Sequence, residues 1–141
     1  MAIVSFNFTK IVAEKKAPIK GKIQIQNNIA IKDVSETELS LGKTQQKALK
    51  YVFQYISTYE PKIGEIVLTG EVISIEDEKK MTEVAENWKK NKKLTKDVLD
   101  TLLNNILTKA NIQALMIGKE VNLPPSIPLP KAKLGTPVVK K

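Results

Sequence analysis

The residues of this chain best suited to meet a ligand are its lysines. All 23 basic residues are lysine, with no arginine and no histidine, and against 15 acids they leave a net charge of +8. A lysine ammonium is a hydrated point charge on a flexible stem. It suits phosphate and is poor at the two-pronged contacts that read base edges. Two groups are spaced for phosphate contact rather than packing: Lys89, Lys90, Lys92 and Lys93 in mid-chain, and Lys131, Lys133, Lys140 and Lys141 near the end. A surface of this kind attracts nucleic acid or an anionic membrane through charge alone. The plain alternative is a genome or growth-temperature bias, which explains lysine over arginine but not the net excess. For the mid-chain group, an ordinary solvated face competes with the ligand reading.

Other chemistry has few residues to rest on. Without histidine or cysteine there is no imidazole base, no thiol nucleophile, no disulfide and no nitrogen or sulfur metal site. A non-enzymatic protein with no cofactor and no metal is the expectation. Gly42-Lys43-Thr44 resembles the end of a phosphate-binding loop, but Thr37 stands where the earlier glycine belongs and no buried strand precedes it. Glu76-Asp77-Glu78 offers oxygen ligands to a hard cation, yet acids at the start of a helix explain it more cheaply. Trp88 falls on an apolar stripe and reads as core. Tyr51, Tyr55 and Tyr59 share parity on one strand and could stack on bases, but with Phe53 among them they read mainly as core.

The elements that must position these residues fall into two halves. Val4, Phe6 and Phe8 share one face of an opening strand, and Lys15-Lys16-Ala17-Pro18 breaks it. Ile23, Ile25, Ile29 and Ile31 share a face of a second strand, where Asn27 suggests a bulge or local turn. Residues 33–46 are polar and read as a loop with Leu39 and Leu41 tucked back. Strands follow over 49–56 and 63–75, joined across Glu60-Pro61-Lys62, and short links argue for an antiparallel meander. In the second half Met81, Val84, Ala85 and Trp88 stripe a helix over 79–92. Val98, Leu99, Leu102, Leu103, Ile106, Leu107 and Ala110 stripe another over 97–110, with a break at Asn111 and an end at Gly118. The expected fold is α+β, a four-stranded antiparallel sheet with both helices on one face, spanning residues 1–118.

Residues 119–141 read as an extended tail. Four prolines between Leu123 and Pro130 exclude helix and interior strand, and five lysines against one acid give residues 118–141 half the net charge. No uninterrupted apolar run exceeds four residues, far short of the roughly 20 that span a bilayer, and the opening residues lack the pattern of a signal peptide. A cytoplasmic location is expected.

In order of elements the chain resembles the SecB-like export chaperones. Phe8-Thr9-Lys10-Ile11 near the start and the run Leu107–Pro130, a helix followed by a Leu- and Pro-rich strand-like segment, carry the similarity over about residues 3–130. The resemblance implies four antiparallel strands, a crossover early in the sheet and two helices. It also implies grooves for unfolded polypeptide in an oligomer. The bacterial chaperones are acidic tetramers, whereas this chain is basic. The charge therefore favours RNA as the partner: a component of a ribosome or other ribonucleoprotein, with Lys131, Lys133, Lys140 and Lys141 against phosphates and Lys89, Lys90, Lys92 and Lys93 in support. A polypeptide-binding chaperone is the alternative.

Overall fold

The computed structural model describes residues 1–129. The lysines 131, 133, 140 and 141 lie outside these residues. Strand β1 covers Ala2–Lys15, β2 Gln24–Leu41, β3 Thr44–Glu60 and β4 Gly64–Ile75; helix α1 covers Glu78–Asn91 and α2 Lys96–Glu120. Every pairing is antiparallel, and the strands lie in the order β1-β4-β3-β2. The fold is α+β, a four-stranded antiparallel sheet followed by two helices, as its periodicities indicate. The meander holds for β2, β3 and β4 alone. Strand β1 pairs with β4 instead, so residues 16–23 carry the chain from one edge of the sheet to the other.

Two local expectations change once the strands pair. Residues 33–46 are not a loop: β2 continues to Leu41, its backbone paired with β3 from Asp33 opposite Val52 down to Leu41 opposite Thr44. Cross-strand pairing overrides the weak strand preference of Asp, Glu and Ser here. The reversal takes two residues, Gly42 and Lys43, and Gly42 supplies the positive φ of 66° that such a tight hairpin needs. In β1, register shifts between Ile3 and Ser5 and between Phe8 and Lys10 each change the parity of the strand. Val4 is consequently 49% exposed, and Ile3 joins Phe6 and Phe8 against the core in its place.

The core lies between one face of the sheet and the helices. Every second residue of β3 from Leu49 to Tyr59 is fully buried, including Tyr51, Phe53, Tyr55 and Tyr59, and Ile66, Leu68 and Val72 continue that face on β4. The tyrosines are core residues, not a stacking platform. Gly70 pairs with both Phe53 and Phe8. A Cβ there would press on the Asn7 carbonyl oxygen and come within 2.7 Å of the Phe53 ring, so only glycine lets the Phe6, Phe8 and Phe53 rings close over this point.

Helix α1 begins at Asp77, whose side chain accepts the Lys80 backbone N–H at 2.8 Å. Part of the acidic trio is thus a helix cap. Met81, Val84, Ala85 and Trp88 are buried as their spacing requires. Helix α2 is continuous from Lys96 to Glu120, with no break at Asn111 and no end at Gly118. Asn111 stays helical, and its Oδ1 accepts a hydrogen bond from the Tyr55 hydroxyl at 3.2 Å. The buried row is Val98, Leu102, Ile106, Ala110, Ala114 and Gly118, each four residues from the last, while Leu103 stands beside it, half-buried.

Stability should follow that row. Ile106→Ala should cost about 2–5 kcal/mol in denaturant titration, the usual range for emptying a fully buried aliphatic site. Leu103→Ala should cost clearly less. The buried phenols add a pH dependence. Burial pushes the Tyr51 phenol up to about 12; the Ser74 hydroxyl opposes this and the Glu76 charge adds to it, while Tyr55 and Tyr59 are raised mainly by burial too. The folded chain keeps protons that the unfolded chain releases above about pH 10. Stability should therefore be level on this account below pH 10 and fall as pH rises from there through about 12, with phenolate absorbance appearing together with loss of ellipticity.

Candidate functional site

Where α1 ends and α2 begins, the helices leave part of the sheet uncovered beside β2. The result is a groove of about 370 Å³, lined by Ile29, Ala30 and Ile31 of β2, by Trp88 and Leu94 around the end of α1, and by Leu99 and Leu103 of α2. Its size is at the lower end of the range for pockets that hold small ligands, about 300–1,000 Å³. Ile29 lies opposite Tyr55 and Ile31 opposite Phe53, so both belong to the core face and extend it outward past the helices. Strand β2 pairs with β3 alone, and its other edge is free among the described residues. An apolar groove therefore runs beside a strand edge whose backbone groups are open to a further strand.

The mid-chain lysines reach this groove only in part. Lys89 and Lys90 sit in the last turn of α1, where cations complement the helix dipole. Lys92 follows in a left-handed conformation, φ 55°, and its backbone N–H closes the helix on the Trp88 carbonyl at 2.9 Å. That turn brings Lys92 and Lys93 to the groove, which both line. The Lys92 ammonium stands 5.7 Å from the centre of the Trp88 ring, within cation–π range. None of the four lysines has a carboxylate partner among the described residues.

A second arrangement, not apparent in the sequence, holds the chain's own C-terminal segment. After α2 the chain turns at Asn122, in a left-handed conformation, and Leu123 is buried with 6% exposure. The Tyr59 hydroxyl donates to the Pro124 carbonyl at 2.5 Å, and the Asn27 amide donates to the Ser126 carbonyl at 2.8 Å. The Ser57 hydroxyl donates to Asn27 Oδ1 at 2.7 Å and so orients that amide. Asn27 causes no bulge in β2. It interrupts the isoleucine face because it reads the backbone of the irregular, proline-rich segment that follows α2. A polar residue on an otherwise apolar strand face and the Leu- and Pro-rich run after the last helix were its traces in the sequence.

Apolar residues are also exposed elsewhere. Ile112 and Met116 lie one turn apart on α2 at 56% and 59% exposure, and Ile11 lies exposed on the edge strand β1. No helix of the described residues is long and apolar enough to cross a membrane.

No protein-family model matches the chain, and no curated protein sequence matches it significantly. Among solved structures it is similar to the Rv1957 SecB-like chaperone of Mycobacterium tuberculosis, in complex with a ChAD peptide from the Rv1956 HigA1 antitoxin. Identity is 12%, with 96% of this chain and 91% of that one covered, at a TM-score of 0.51. The fold is SecB-like. This overturns the expectation of an RNA-contacting ribosomal or ribonucleoprotein component, because the solved structure that shares the fold is a peptide-bound chaperone. Net charge misled here for a physical reason: it is a property of the whole surface, whereas the concave site is walled mainly by apolar side chains, with Lys92 and Lys93 at its border.

The C-terminal segment should matter for stability. A chain ended at Gly118 would lose buried Leu123 and the hydrogen bonds to Tyr59 and Asn27. Burying one leucine contributes about 1.5–3 kcal/mol. The shortened chain should therefore melt several degrees below the full chain in a thermal scan while keeping a cooperative transition.

Proposed function

We propose that this protein is a non-enzymatic polypeptide-binding chaperone that holds extended apolar segments of other chains in the groove beside β2. The observation that carries this is the groove itself: an apolar, concave surface adjoining a strand edge that is free among the described residues. An incoming extended segment gains main-chain hydrogen bonds from such an edge, whatever its sequence, and places alternate side chains in the pocket. The aliphatic walls fit many apolar side chains without selecting one. The C-terminal segment supports the same reading, because side chains of the sheet already hold one non-helical stretch through its carbonyls. Self-association through Ile112, Met116 and the β1 edge would be in keeping with such a chaperone.

Leu99→Gln with Leu103→Gln tests the proposal, since both residues are half-buried and face the groove. Circular dichroism should show the variant folded. Its affinity for a chemically unfolded model protein should fall by roughly tenfold, corresponding to about 1.4 kcal/mol of lost apolar contact. Suppression of that protein's aggregation in light scattering should weaken in parallel. Binding by the parent should persist at high salt, because apolar burial is not screened. Equal affinities for parent and folded variant would place client binding elsewhere or dismiss it.

A further inference from the structure

Building on the polypeptide-binding reading, we propose that the groove prefers client segments whose apolar residues are flanked by aspartate or glutamate. The chemistry of its lining is asymmetric: among the described residues its only charged members are Lys92 and Lys93, and no carboxylate lines it. Neither lysine is neutralised by an ion pair among the described residues. Both lie beyond the last turn of α1, so the helix dipole accounts for Lys89 and Lys90 more directly than for these two.

The backbone supplies an independent observation. Lys92 occupies the left-handed position that closes α1, at φ 55°. Glycine adopts this conformation without penalty, whereas a residue with a Cβ is disfavoured there by roughly 1–2 kcal/mol. The site nevertheless carries lysine, and its ammonium stands over the Trp88 ring beside the aliphatic walls. Apolar surroundings also strengthen a charge pair formed at this border relative to one in open water. A segment seated with its apolar side chains in the groove would bring flanking carboxylates to Lys92 and Lys93 and leave flanking lysines facing like charge.

Three dye-labelled peptides of about a dozen residues test this. They share an apolar centre free of tryptophan and tyrosine, and their flanks are glutamate, glutamine or lysine; a fourth, acidic throughout, lacks the apolar centre. Binding is read by anisotropy and by the emission of Trp88, the chain's single tryptophan, which lines the groove. The glutamate-flanked peptide should bind several-fold to about tenfold tighter than the glutamine-flanked one, as two partly exposed charge pairs allow. The lysine-flanked peptide should bind weakest and the fully acidic one poorly. The preference should shrink as salt rises, since the screening length falls from about 10 Å at 0.1 M to about 3 Å at 1 M.

Lys92→Gly with Lys93→Gln keeps the left-handed cap and removes both charges. The ratio of glutamate- to glutamine-flanked affinity should then drop to near one. Lys79→Gln with Lys80→Gln removes the same charge from the exposed opposite end of α1 and should leave the ratio unchanged. Equal binding of the three apolar peptides would overturn the charge preference and leave polypeptide binding standing. A ratio altered equally by both double variants would assign the effect to net charge and overturn the site. Failure of every peptide to bind would overturn the polypeptide reading and this one with it.

Discussion

Close approach of α2 to the aromatic face of the sheet is the constraint on which the other features depend. Strand β3 presents Tyr51, Phe53, Tyr55 and Tyr59, all fully buried; α2 meets this face at Tyr55 through Asn111 and must offer little bulk there. It does so increasingly toward its end, where the buried row passes from Leu102 and Ile106 to Ala110, Ala114 and Gly118. A Cβ at Gly118 would sit 3.2 Å from the Ile66 methyl, tighter than ordinary van der Waals contact. Small residues on the helix and large ones on the strand fill the interface to normal packing density; large ones on both would lift the helix from the sheet.

The path of that helix sets both surface features. Its start lies beside Ile29 and Ile31 of β2, its middle meets Tyr55 of β3 through Asn111, and its end rests on Ile66 of β4. A helix crossing the sheet in this way leaves the β2 side uncovered near Leu99 and Leu103, and α1 bounds that gap with Trp88 and its terminal lysines. At the far end the emerging chain is delivered to Tyr59 and Asn27, which hold it by its carbonyls. The groove and the docked segment are two consequences of one crossing.

The charge of the chain takes its meaning from this geometry. Several lysines pair with acids at the surface, as Lys47 does with Glu78 and Lys50 with Glu71, and such exposed pairs contribute little stability. Lys92 and Lys93 differ in standing unpaired among the described residues at the border of an apolar cleft. A basic residue there would favour apolar segments by the charge of their flanks, and a count of lysines along the chain cannot express that role.

Local physics in the sequence determined a good deal: the α+β class, the burial of alternate residues on β3, both amphipathic helices, and the core role of Trp88 and of the tyrosines. These follow from periodicities of two and of 3.6 residues, which depend only on neighbours along the chain. Whatever depended on partners distant in sequence was decided by the tertiary structure. The polar stretch 33–46 became strand because β3 was there to pair with it, and Val4 turned outward because bulges changed the parity of β1. Asn111 stayed helical with Tyr55 beneath it, and Asn27 found its role 99 residues away at Ser126. The groove is the clearest case. Its walls come from β2, the end of α1 and the start of α2, three segments whose separate patterns predict only burial, and an unfilled space between elements leaves no periodic trace in any of them.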